Sequence, residues 1–226
     1  MNTGTPPQND LFGSDEIPAE PKPAEPADAY RPLADRLRPQ DLADFAGQIR
    51  VVGDDAPLRV AMEKGQAHSC LLWGPPGVGK TTLARLYAER LQAEIVHLSA
   101  VEAGVRELRG VIEGARSRRQ ATGRLTVLFL DEIHRFNKSQ QDQLLPSVER
   151  GVLVLVGATT ENPSFSLNNA LLSRLRVYRL EPLGDDALNS LLQRALEHPE
   201  GVRETTGGQD LTMEPEIADR LVAAAD

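Results

Sequence analysis

Residues 74 to 81, Gly74-Pro75-Pro76-Gly77-Val78-Gly79-Lys80-Thr81, satisfy G-x-x-x-x-G-K-[ST] at every fixed position. The flanking residues say what this pattern can be. Ser69–Trp73 is a short apolar run suited to a strand. From about Gly79 to Leu91 the apolar positions Leu83, Leu86, Tyr87 and Leu91 share one helical face. A strand entering and a helix leaving a glycine-rich loop make a phosphate cradle, because glycine lets successive N–H groups point inward. The helix start adds its positive dipole end. The sequence therefore predicts ATP binding along Gly74, Pro75, Pro76, Gly77, Val78, Gly79, Lys80, Thr81 and Thr82. Lys80 is the expected cation for the β- and γ-phosphates, and Thr81 the expected hydroxyl ligand of Mg2+.

The rest of the chain repeats the strand–helix alternation. Strands are expected at Glu94–Leu98, Leu125–Leu130, Val152–Ala158 and Arg176–Leu180, with helices over Gly104–Gln120 and Ser139–Glu149. Strands apolar on both faces and separated by helices predict an α/β fold, a parallel five-stranded sheet covered on both sides. Beyond Leu183 the pattern is purely helical, near Asp185–Glu197 and Glu214–Ala225. The expected organisation is a tail over 1–30, a nucleotide-binding core over 31–182 and a partial helical lid over 183–226.

In a parallel sheet the carboxyl ends of the strands face the ligand. Val127-Leu128-Phe129-Leu130 ends in Asp131-Glu132, which places two carboxylates at that edge. Asp131 is the expected second metal ligand, and Glu132 the group that polarises the attacking water. Val152–Ala158 runs into Thr159-Thr160, and Thr160, with Thr159 a near second, is expected to sense the γ-phosphate. Arg174, just before the last strand, is placed to reach a neighbouring subunit's nucleotide; Arg176 reads equally well as structural.

Charge does not decide for or against nucleic acid. The net charge is −8, of which residues 1–30 carry −5 (six acids, one lysine), leaving about −3 for the rest. Arg116, Arg118, Arg119 and Arg124 form a local basic cluster. The single cysteine, Cys70, cannot form an internal disulfide and reads as a small buried hydrophobe. No apolar run approaches the roughly 18–20 residues of a membrane span, and no export signal is evident, so a cytoplasmic protein is expected.

In this order the motifs resemble the AAA+ ATPases. Three stretches narrow the likeness: His68 to Gly77, Asp131-Glu132-Ile133-His134-Arg135-Phe136-Asn137-Lys138-Ser139-Gln140-Gln141-Asp142, and Gly157-Ala158-Thr159-Thr160-Glu161-Asn162-Pro163-Ser164-Phe165. Over about residues 30–226 they resemble the replication-associated recombination protein A family, relatives of the Werner-helicase-interacting protein. The resemblance implies a homo-oligomeric, DNA-stimulated ATPase acting at forks, ends or single-stranded gaps, with single-stranded-DNA-binding protein as a partner. It implies a trans-acting arginine at Arg174. It also matches Leu37-Arg38-Pro39 and Phe45-Ala46-Gly47-Gln48 to an adenine-side segment, in which Ile49 and Val51 would pack on the base. Members continue with a lid helix bearing a second arginine and an assembly domain, so a chain stopping at Asp226 is expected to be a fragment.

Rival readings share the chemistry: a clamp-loader subunit or a Holliday-junction branch-migration motor. A nucleotide-gated recruitment scaffold is the rival from another class, and Glu132 and Arg174 argue against it. Two surface expectations remain. Gln8-Asn9-Asp10-Leu11-Phe12, in the proline-rich acidic tail, resembles peptides that dock into the bacterial sliding clamp through two apolar anchors. Arg135, Asn137 and Lys138 either face DNA in an assembled ring or form a solvated helix entrance.

Overall fold

The computed structural model describes Met1, residues 31–202 and residues 213–225. The tail and its Gln8–Phe12 segment lie outside these residues. Leu33–Asp226 forms one compact unit.

Five strands build its sheet: β1 (Cys70–Trp73), β2 (Glu94–Ser99), β3 (Thr126–Asp131), β4 (Val154–Thr159) and β5 (Arg176–Arg179). All pairings are parallel and the order is β2-β3-β4-β1-β5. The expected fold class is the observed one. β1 and β3 are not neighbours, because β4 lies between them. The loop and the acidic pair therefore sit two strand positions apart.

Side chains explain why the central strands are buried on both faces. Val127, Leu128, Phe129 and Leu130 of β3, and Leu155, Val156 and Ala158 of β4, are all closed off from solvent. Each fully buried leucine contributes about 1.5–3 kcal/mol of burial free energy. One face carries Leu72, Leu83, Tyr87 and Phe129, and packs helix α4 (Lys80–Arg90) together with α3 (Pro57–Glu63). The other carries Leu71, Leu108, Leu128 and Leu144, and packs α5 (Val105–Thr122) and α6 (Lys138–Glu149). The N-terminus of α6 is fixed by a capping box, Asn137 and Gln140 each accepting the other's backbone N–H at 3.0 Å. Pro146 inside α6 is tolerated, and the helix runs on to Glu149.

Gly157 of β4 is required by close packing: a Cβ there would stand 2.9 Å from Leu71 Cδ1 and 3.0 Å from Ile133 Cδ1. Helix α9 (Asp185–Glu197) meets the segment before the first strands through Arg194, whose Nη1 donates to the Asp44 carbonyl at 3.3 Å. A last helix, α10, spans Pro215–Ala223. Among the described residues no helix is long and apolar enough to cross a membrane.

The basic cluster expected at Arg116–Arg124 is partly consumed by the fold. Arg118 Nη1 donates to Thr126 Oγ1 at 2.9 Å, and Arg124 Nε to the Gln92 carbonyl at 3.1 Å. Thr126 opens β3 and Asp131 closes it, so these arginines lie at the sheet end away from the phosphate loop.

Cys70 is 1% exposed in β1, and burial pushes its thiol up to about 12. At pH 8 the native thiol is therefore protonated as well as covered. A thiol reagent is expected to modify the native protein at least about a hundredfold more slowly than the urea-unfolded chain. Equal rates would contradict the placement of β1.

Candidate nucleotide site

The loop between β1 and α4 is shaped by two glycines in the left-handed region, Gly77 at φ 80° and Gly79 at φ 93°. Gly79 precedes α4 without a side-chain cap, leaving the first-turn N–H groups of that helix for a ligand. Lys80 opens the helix and is only 9% exposed. Its ammonium donates to the Gly74 carbonyl at 2.8 Å and the Pro75 carbonyl at 2.7 Å. Burial lowers its pKa, while Glu132 and then Asp131 push it back up. A cation that feels both carboxylates links loop and acidic pair across β4. Thr81 follows on the same turn, half-buried.

Asp131 is the last residue of β3, and its Oδ1 accepts the Glu132 N–H at 3.0 Å. Glu132 itself is left-handed, φ 52° and ψ 43°. That backbone costs a residue other than glycine about 1–2 kcal/mol. It marks a sharp exit from the strand, where a strained residue needs support from its surroundings. His134 stands beside it, Nδ1 at 3.2 Å from Glu132 Oε2 and 3.0 Å from Thr159 Oγ1.

β4 ends at Thr159, which is fully buried, and its hydroxyl accepts the Glu161 N–H at 3.0 Å. Thr160 lies one residue past the strand and is exposed. Arg174 is anchored within its own chain. Its Nε donates to Glu149 Oε1 at 2.6 Å, its Nη2 pairs with the same carboxylate, and its Nη1 donates to the Ala170 carbonyl at 2.7 Å. Arg135 and Lys138 are exposed, whereas the Asn137 side chain caps α6.

The fold separates the residues of the expected adenine-side segment. A cleft of about 340 Å3 opens beside the loop, bounded by Leu37, Phe45, Ala46, Val78, Thr82 and Leu183. That volume suits a small-molecule moiety. Ile49 is not among its walls: it is 79% exposed and borders separate depressions near Gly184. Val51 is buried in the core at 3% exposure. The reason is Gln48, whose left-handed backbone (φ 58°) turns the chain before Ile49. Its amide clasps Glu181, donating to its carbonyl at 2.7 Å and accepting its N–H at 3.0 Å. Phe45 is the aromatic group that reaches the loop. The sequence reading placed it in the adenine-side segment but assigned the base to its neighbours.

Residues 70–183 match the family model of the ATPase family associated with various cellular activities, abbreviated AAA. The chain belongs to this family. Among AAA relatives, the replication-associated recombination protein A of Escherichia coli K12 is 49% identical over 86% of this chain and 42% of its own length. The ATPase WRNIP1 of Dictyostelium discoideum is 47% identical over 75% of this chain and 19% of its own. The chain thus spans about two fifths of the bacterial relative. Of solved AAA structures, the RuvB Holliday junction branch migration motor of Thermotoga maritima is similar at a TM-score of 0.59 and 31% identity. That likeness covers 83% of this chain and 64% of the other.

Gly79 gives the sharpest test of the loop. A Cβ there would sit 2.7 Å from Phe45 Cζ on a backbone at φ 93°. Gly79→Ala is expected to weaken ATP binding about tenfold or more, since 1–2 kcal/mol of backbone strain falls directly on the cradle. Titration with a fluorescent ATP analogue checks this, alongside a thermal midpoint to confirm folding.

Proposed function

We propose that this chain is the ATP-binding and ATP-hydrolysing part of a DNA-dependent AAA+ ATPase serving replication-fork maintenance, recombination and repair. The observation that carries the reading is Lys80, a buried ammonium held by loop carbonyls and acted on by both Asp131 and Glu132. A triphosphate offers this cation better partners than two carbonyls, and the uncapped start of α4 offers it N–H donors. The base occupies the cleft at Phe45 and Val78.

The donor set suits Mg2+. Thr81 through its hydroxyl and Asp131 through its carboxylate would hold this hard cation together with phosphate oxygen and water. Bound there, it would supply positive charge to neutralise the phosphates. Glu132 accepts a proton from the attacking water and orients it. Thr160, exposed at the end of β4, senses the γ-phosphate. Arg174 leaves Glu149 to reach the nucleotide of a neighbouring copy. Residues 31–182 act as the core and 183–226 as part of a lid.

The E. coli relative's name supports a role in replication-associated recombination, and the likeness to the RuvB motor supports a second reading as a branch-migration motor. The higher identity favours the first. DNA, single-stranded-DNA-binding protein and further copies of the chain are the proposed partners, in the cytoplasm with the nucleoid.

Turnover measured on the protein with forked DNA, and again with a four-way junction, tests the reading. Lys80→Ala is expected to abolish ATP binding. Glu132→Gln is expected to bind ATP normally and to turn over at least about a hundredfold more slowly. Binding unchanged by Lys80→Ala sinks the site, and stimulation by the junction alone selects the motor. For the tail, a peptide covering Asn2–Asp15 is expected to bind the sliding clamp and to lose that binding as Leu11→Ala, Phe12→Ala. Equal binding of the two peptides rejects this partner.

A further inference from the structure

Between the acidic pair and the end of β4 lies a side chain that the mechanism above does not use. His134 sits in the single turn Ile133–Arg135, and its side chain is only 6% exposed. The turn cannot drift. Ile133 is fully buried against Gly157 of β4, where a side chain would collide with it, and Phe136 on the far side is 2% exposed. The imidazole is thereby fixed in the gap between the ends of β3 and β4.

Its ring nitrogens meet three polar groups. Nδ1 is 3.2 Å from Glu132 Oε2 and 3.0 Å from Thr159 Oγ1, and Nε2 is 3.5 Å from Glu161 Oε1. An ionised carboxylate only accepts, so Nδ1 carries the proton when it meets Glu132. A histidine filling space in a core needs no such set. Thr159 has a second attachment: its carbonyl accepts the N–H of Gly74, the first residue of the phosphate loop, at 3.1 Å. A continuous path of contacts thus runs from Gly74 through Thr159 and His134 to the carboxylate of Glu132.

We propose that His134 is a positioning residue that holds the Glu132 carboxylate and ties it, through Thr159, to the phosphate loop. The inference rests on the reading of Glu132 as the group that orients water. Glu132 is a flexible side chain on a strained backbone at a strand end, and His134 is the fixed donor that selects its direction. Because Nδ1 is shared between Glu132 and Thr159, a shift of the β4 end changes how firmly the carboxylate is held. Filling the loop is then felt at the base without direct contact between the two.

Two measurements on the protein decide it. In the first, 15N-histidine-labelled protein is observed by NMR; there are four histidines, and His134→Asn assigns the signal. Glu132→Gln and Thr159→Val are each expected to move the Nδ1 resonance of His134. An Nδ1 signal unmoved by Glu132→Gln overturns the proposal. In the second, His134→Ala is expected to lower kcat about tenfold to a hundredfold with the Kd for ATP within about twofold of the parent. His134→Asn, whose amide can donate in place of Nδ1–H, is expected to recover most of the rate. A kcat for His134→Ala within twofold of the parent overturns the proposal, as does equal loss in both variants with weakened ATP binding. If the parent itself fails to bind ATP, the ATPase reading falls, while the resonance still decides whether His134 holds Glu132.

Discussion

The site depends on β4 standing between β1 and β3. Neighbouring strands are about 4.8 Å apart, so the loop after β1 and the carboxylates after β3 are separated by roughly 10 Å across the sheet edge. Were β1 and β3 adjacent, Lys80 would close directly on Asp131 or Glu132 and fill the space a phosphate needs. With β4 interposed, Lys80 turns instead to the carbonyls of Gly74 and Pro75, and the carboxylates act on it only through their field. The Gly74 N–H to Thr159 carbonyl contact, at 3.1 Å, fixes this spacing where the loop leaves the sheet.

That arrangement also explains how a lysine tolerates so little solvent. A buried ammonium without partners is costly, and Lys80 answers the cost with two short hydrogen bonds and two distant anions. None of these is an ion pair at contact distance, so the cation is stabilised without being locked. A phosphate group can replace the carbonyls as its partner without first breaking a salt bridge. The burial that lowers the lysine's pKa also strengthens any charge–charge attraction that replaces those hydrogen bonds.

Much of this was legible in the sequence because it is local. Ser69–Trp73, the glycine loop and the amphipathic run to Leu91 specify strand, turn and helix over a span of some twenty residues. β3 and β4 announce themselves by being apolar on both faces, and their observed limits differ from the expected ones by a residue or two. What the sequence hid is set by contacts between distant residues. Strand order is one such case, since nothing within β1, β3 or β4 says which lies in the middle. The exposed placement of Ile49 is another: it follows Gln48, which is held by Glu181 133 residues away. His134 stands two residues from Glu132, yet its link to Thr159 spans 25 residues and exists only once β3 and β4 pair.

The same reasoning bears on Arg174, proposed to act on a neighbouring copy although its own chain already binds it. Its partner Glu149 is the last residue of α6, the helix that begins just after the acidic pair. The two side chains are 38% and 46% exposed. An ion pair that open contributes only about 0–1 kcal/mol, so it orders the guanidinium without trapping it. A nucleotide phosphate at a subunit boundary, bearing more charge than a carboxylate and less screened by water, competes easily for the same donors. In the proposed role, Glu149 would hold Arg174 beside α6 until a better anion arrives. One continuous element, α6, would then link the arginine proposed for the neighbour with the acidic pair proposed for this chain's own site.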